Sequence, residues 1–180
     1  MHLRGIEVLE SEKRTTYKDI TQLWKNSLAV NEPCVIDASE VIINNIHYVI
    51  DGHSIILDYS CRERIIGELL SKATGKTVIM QPRVSGHLRN QKWPDYLINN
   101  ARWDLKIIID GKSSSLLRNI VHKKNKQADN FIFDITNSVL PESEIFRQAQ
   151  QLYSHYNTQN VDHVVLIRKH EIIRVFVRIR

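Results

Sequence analysis

The run Trp103-Asp104-Leu105-Lys106, continued by isoleucines at 107, 108 and 109, limits the fold more than any other stretch. Leu105 and the isoleucines mark a strand over about 102–109 of the kind that lies inside a sheet. Period-2 geometry puts Asp104 and Lys106 on one face of it. A carboxylate and an ammonium on a central strand are costly to bury unless they are paired or used. The stretch just before it, Pro94-Asp95-Tyr96-Leu97-Ile98, predicts a strand over 95–98, and Asn99-Asn100 suits a tight turn between the two. Asp95 then opens one strand while Asp104 and Lys106 sit on the next. Two carboxylates from adjacent strands beside an ammonium can hold a hard divalent cation, Mg²⁺ or Mn²⁺, and activate a water. The competing reading is a surface Asp–Lys pair on an edge hairpin, and the apolar flanks count against it.

Helices and strands alternate around this hairpin. A strand is predicted over 5–10 and an amphipathic helix over 16–29, with Ile20, Leu23, Trp24 and Leu28 on one stripe. Strands follow at 34–36, 41–43, 47–50 and 55–58, the last two joined by an Asp51-Gly52 hairpin turn. A helix over 62–73 should close at Gly75, and a strand should occupy 77–80. Serines at 113–115 can cap a helix reaching about 129. A strand over 131–136, a helix over 141–156 with proline at its start, and strands over 161–168 and 172–178 complete the chain, the last pair turning at Lys169-His170-Glu171. This order predicts an α/β (α+β) fold, a mixed sheet with flanking helices. Residues 59–180 form the main domain, with 1–58 an accessory α/β segment of the same globule.

Composition removes several function classes. The 180 residues suit one core, and 25 basic against 20 acidic residues leave a charge of +5, which permits a polyanionic partner without requiring one. Cys34 and Cys61 form no CxxC, so neither a zinc ribbon nor a disulfide framework is supported. There is no apolar run long enough for a membrane span and no signal-peptide pattern at the start, which predicts a cytoplasmic site of action without membrane contact. Phosphate-cradling glycine loops, HExxH, EF-hand and nucleophile-elbow motifs are all absent. His47, His53, His155, His163 and His170 are scattered without ligand spacing.

The ordered set of motifs carries a resemblance. PDYLI, the Asn-Asn turn and WDLK resemble the core of the PD-(D/E)XK (restriction-endonuclease-like) nucleases. More closely, 59–136 is similar to the tRNase domains at the C-termini of CdiA contact-dependent inhibition toxins and to related phage and mobile-element nuclease domains. The match runs through Arg62-Glu63 ahead of a helix, the strand at 77–80, PDYLI, WDLK, a basic helix ending Lys126-Gln127-Ala128-Asp129-Asn130, and the strand after it.

The resemblance implies a metal-dependent endonuclease in which Asp95 and Asp104 bind the metal and Lys106 positions or polarises the attacking water. It also implies a glutamate on the preceding helix. Glu63 falls within about 20° of Leu70, at the edge of the apolar stripe, whereas Glu68 points away from it, so Glu63 is assigned as the third metal ligand. On the helix before 129, Lys124 lies on the inner face and Gln127 within about 20° of Leu116 and Ile120. Gln127 is assigned as an orienting amide of the catalytic set and Lys124 as a phosphate contact, against the plainer reading of a snorkelling lysine and a satisfied core amide. Arg118, His122, Lys123 and Lys126 fall on the outer side. The loop at 81–94 places Arg83, His87, Arg89, Lys92 and Trp93 directly before Asp95, cations with an aromatic that suit a phosphate backbone and a stacked base. RNA, tRNA in particular, is the first substrate by resemblance and DNA the second. A toxin of this kind implies an immunity protein, and a non-catalytic nucleic-acid- or protein-binding module retaining the fold is the remaining alternative.

Overall fold

The computed structural model describes residues 18–29, 34–36, 40–49, 55–56, 59–81, 83–84, 94–109, 111, 113–124 and 127–179. Three asparagine- or lysine-led turns set its hairpins. Asn99 and Asn100 both hold positive φ (50° and 62°), as do Asn44 and Asn45 and also Lys169 and His170. Two consecutive left-handed residues make the type I′ turn whose twist matches that of paired strands, and asparagine tolerates that conformation.

The strands are β1 (Lys18–Asp19), β2 (Cys34–Ile36), β3 (Glu40–Ile43), β4 (Ile46–Val49), β5 (Ile55–Ile56), β6 (Thr77–Met80), β7 (Arg83–Val84), β8 (Tyr96–Ile98), β9 (Ala101–Ile107), β10 (Asn130–Asp134), β11 (His163–Arg168) and β12 (Glu171–Val177). The helices are α1 (Thr21–Ala29), α2 (Cys61–Thr74), α3 (Leu116–Lys124) and α4 (Glu142–Gln151). Seven strands form one sheet in the order β12-β11-β10-β9-β8-β6-β2. It is mixed: β9, β10 and β11 run parallel, as do β2 and β6, while the β8–β9, β6–β8 and β11–β12 pairs are antiparallel. The mixed α/β architecture is therefore as the sequence predicts, and β2 carries the N-terminal segment into the same sheet.

Strand β10 is buried along its whole length, and its alternating side chains feed two cores. Phe131 and Phe133 face one side with Leu117 and Val121 of α3, Ile145 and Ala149 of α4, and Val164 and Leu166 of β11. Ile132 faces the other with Ile66 and Leu70 of α2, Val78, Tyr96, Leu105 and Val165. Fully burying each such side chain stabilises by roughly 1.5–3 kcal/mol, so both faces of this strand are fixed by packing.

Several boundaries move. The predicted helix over 16–29 begins only at Thr21, because residues 18–19 pair with β3 and the Asp19 carboxylate accepts the Thr21 N–H at 2.8 Å. The expected Asp51-Gly52 turn lies outside the described residues, as does the strand over 5–10. The described partner of β4 is β3, through Asn44-Asn45, while β5 pairs with β7. Helix α3 is described as far as Lys124, whose carbonyl accepts both the Gln127 and Ala128 N–H groups, with Gln127 in a turn. Helix α4 stops at Gln151 because the Thr158 hydroxyl takes the Leu152 carbonyl at 2.6 Å, a group that a continuing helix would use internally. Among the described residues no helix is long and apolar enough to cross a membrane.

Candidate active site

The β8–β9 ladder ends at the pair Tyr96↔Trp103. One residue further on, the Asp95 carbonyl accepts the Gln81 N–H, on the side of β6, at 2.9 Å. Its carboxylate turns to β9 instead, where Oδ2 accepts the Leu105 N–H at 2.6 Å. A side chain thus takes the place of a ladder carbonyl where the strands part, and the gap exposes the next residues of β9 to Asp95.

Asp104 and Lys106 share the face that carries Phe131 and Phe133, their register neighbours on β10. Asp104 is fully buried. Its Oδ1 accepts the Gln127 amide at 2.6 Å, while its Oδ2 accepts no hydrogen bond. The Lys106 ammonium balances that oxygen from 2.5 Å, and lies 3.8 Å from Asp95 Oδ2. Lys106 Nζ also donates to the Leu105 carbonyl at 2.7 Å. Two carboxylates thus converge on one cation beside phenyl rings, where the local dielectric is low and each charge acts strongly. Gln127 is held in turn, its Oε1 accepting from Lys124 Nζ at 3.1 Å. The inner-face positions read from helical angles do meet the site, though Gln127 reaches it from the turn beyond α3.

Glu63 sits at the third position of α2. Its carboxylate accepts the Ser60 N–H while the Ser60 hydroxyl accepts the Glu63 N–H, a reciprocal capping box. The Ser-x-x-Glu spacing at 60–63 is the sequence signal for this box. The Tyr96 hydroxyl donates to the Glu63 carbonyl at 2.7 Å, docking the start of α2 onto β8. Burial pushes the Tyr96 phenol well above its ordinary value, and the charges of Asp95 and Glu63 push the same way, so it acts as a neutral donor. Glu63 is thus tied through Tyr96 to the strand that follows Asp95, and its carboxylate is engaged with its own helix end. Glu68 is exposed and pairs with Arg64, as its outward angle predicts.

The neighbouring Arg62 reaches Asp134, with Nε 2.6 Å from Oδ2. Burial raises the Asp134 carboxyl, but hydrogen bonds from Arg62 and from the Thr136 hydroxyl and amide outweigh it and hold the group below its ordinary value. This brace ties α2 to the end of β10, and nothing in the sequence pattern pointed to it. Of the predicted loop contacts, Arg89, Lys92 and Trp93 lie outside the described residues, with His87, and Arg83 is described only as part of β7. Among the described residues no three Asp, Glu, His or Cys side chains gather at one metal position. Asp95 and Asp104 alone still suit Mg²⁺, which binds through one or two carboxylates and keeps several waters. The buried Asp104 Oδ2, whose charged neighbour is the Lys106 ammonium, is a hard oxygen donor consistent with that chemistry.

The chain thus has a seven-stranded mixed sheet, covered by α2 on one face and by α3 and α4 on the other, with a carboxylate pair sharing one lysine. In fold it is similar to a chain of the CdiA-CT/CdiI toxin and immunity complex from Burkholderia pseudomallei, with a TM-score of 0.51, 19% sequence identity, and coverage of 80% of this chain and 98% of that one. Residues 92–173 match the family model for the contact-dependent growth inhibition CdiA C-terminal domain. The matched span contains Asp95, Asp104, Lys106, Lys124 and Gln127, but not Glu63. No curated protein matches the chain.

Proposed function

We propose that the chain is a metal-dependent endonuclease with a PD-(D/E)XK-type centre, acting as a toxin on RNA and on tRNA first. The observation that carries this reading is the convergence of Asp95, Asp104 and Lys106 where β8 and β9 part, with Gln127 holding the buried carboxylate. The family model matched by residues 92–173 supports the toxin setting, and the resemblance to CdiA tRNase domains places tRNA ahead of DNA. The complex containing the structural neighbour includes an immunity protein, which supports a cognate inhibitor for this chain as well.

Asp95 and Asp104, with Glu63 as the candidate third ligand, would hold Mg²⁺ or Mn²⁺. The metal would supply charge neutralisation at the phosphate and acidify a water. Lys106, an ammonium between two carboxylates, donates: it orients the attacking water and counters charge developing on the phosphoryl oxygens. Gln127 fixes the direction of the Asp104 carboxylate, and Lys124 fixes Gln127. Water attack forms one bond to phosphorus as one bond to a sugar oxygen breaks; the attacking water gives up its proton to solvent, and the leaving oxygen takes one up from solvent.

Incubation with total tRNA, plasmid and linear DNA, each with Mg²⁺, Mn²⁺ or chelator, tests the reading. Metal-dependent cleavage of tRNA is the expected result. Cleavage of DNA alone would keep the centre and discard the tRNase assignment. Binding without cleavage, unaffected by chelator, would leave a binding module.

A further inference from the structure

We infer that the groove between α3 and α4 is a second nucleic-acid contact, taking a phosphodiester and an unpaired base of the strand that enters the Asp95/Asp104/Lys106 centre. Its link to that centre rests on the nuclease reading; its affinity for nucleic acid does not. The groove consists of two adjoining cavities of about 350 and 250 Å³, both bordered by Arg118 and His155. The larger is lined by hydroxyls and amides, including Ser115 and Ser154, and by Arg147. The smaller opens on His122 and Tyr156.

Among the described residues no carboxylate lines either cavity. The nearby Glu144 is not a lining residue, and its carboxylate is taken up by two that are, accepting from Arg147 at 2.6 and 2.8 Å and from Gln148 at 2.8 Å, so that Arg147 is neutralised and Arg118 is the guanidinium left to a ligand. Arg118 is exposed and has no hydrogen bond or ion pair among the described residues. His155 Nδ1 accepts the Asn157 N–H at 3.2 Å, which leaves Nε2 as a donor toward a ligand. The Tyr156 ring is 72% exposed and stacks on His155 at 4.9 Å. An uncompensated guanidinium, an imidazole donor and a pre-stacked exposed aromatic are the parts that hold a phosphate and a base on a single strand. Helix α3 joins groove and centre, since Arg118 and Lys124 are six residues apart, about 9 Å along the axis. Six residues also turn by about 120° around the helix, so the strand passes from its outer to its inner side over at least about three stacked nucleotides.

The test is fluorescence anisotropy of labelled tRNA in chelator at about 50 and 200 mM salt, with wild type, Arg118→Ala, Tyr156→Ala and Tyr156→Phe. Arg118→Ala should weaken binding about 3- to 10-fold at low salt and lower the slope of log Kd against log salt by about 1. Tyr156→Ala should weaken it about 5-fold or more with the slope unchanged, and Tyr156→Phe should bind as wild type. Wild-type affinity and slope in both alanine variants, with circular dichroism intact, would overturn the proposal, as would no binding by wild type. If these losses appear but no nucleic acid is cleaved, the groove stands and the catalytic reading falls.

Discussion

Replacing Lys106 by methionine removes the ammonium that balances Asp104 while keeping the length of the aliphatic stem. Asp104 is 0% exposed, and its Oδ2 accepts no hydrogen bond, so that oxygen would be left with neither charge nor donor. Removing one partner of a fully buried pair costs about 3–5 kcal/mol. Lys106 itself is 24% exposed, so water can follow the methionine inward, and the cost falls to about 2–3 kcal/mol. Asp104→Asn alone should cost about 1–2 kcal/mol, because the freed ammonium keeps the Leu105 carbonyl and reaches solvent. The double variant removes both charges and should be more stable than the sum of the singles by at least about 1.5 kcal/mol. Urea unfolding reads this directly: Lys106→Met should lower the midpoint by about 1–2 M with an unchanged slope. A change below about 0.5 kcal/mol, or strict additivity in the cycle, would refute the buried-pair argument.

Arg62→Met should cost about 1–3 kcal/mol at neutral pH by leaving Asp134 with only its Thr136 bonds. Folding depresses the Asp134 value, so this stabilisation is complete above the unfolded value of about 3.9 and is lost as pH falls through the lower folded value. The gap between wild type and variant in urea midpoint should therefore close below about pH 4, and a gap constant with pH would contradict the brace. Asn99→Val forces a β-branched residue to φ 50° and should lose about 1–2 kcal/mol. Asn100→Gly should not lower the thermal midpoint; an equal loss in both would count against a type I′ turn.

The hairpin carrying the centre was legible because three local signals agreed: apolar alternation, an Asn-Asn turn and paired charges on one face. Its neighbours were legible only through helix angles, and there the reading was right in direction and loose in detail. Gln127 reaches Asp104 from a turn that no periodicity marks. Glu63 closes a capping box with Ser60, a local use that helix angles do not reveal. The Arg62–Asp134 brace joins residues 72 apart, and the α3–α4 groove gathers Arg118, His155 and Tyr156 from separate elements. Long-range pairings of this kind leave no local period to read. The pairing of β5 with β7 likewise joins segments far apart in sequence and has no local signal.

The central claim is that Asp95, Asp104 and Lys106 form one catalytic unit. Single-turnover cleavage of tRNA in Mg²⁺ by Asp95→Asn, Asp104→Asn, Lys106→Met and the triple variant, each shown to be folded, tests it most directly. The account predicts that every single variant loses about as much rate as the triple, at least about 100-fold, because residues acting as a unit are not additive. Losses that multiply from single to triple, cleavage by wild type that persists in chelator, or no cleavage by wild type would contradict it.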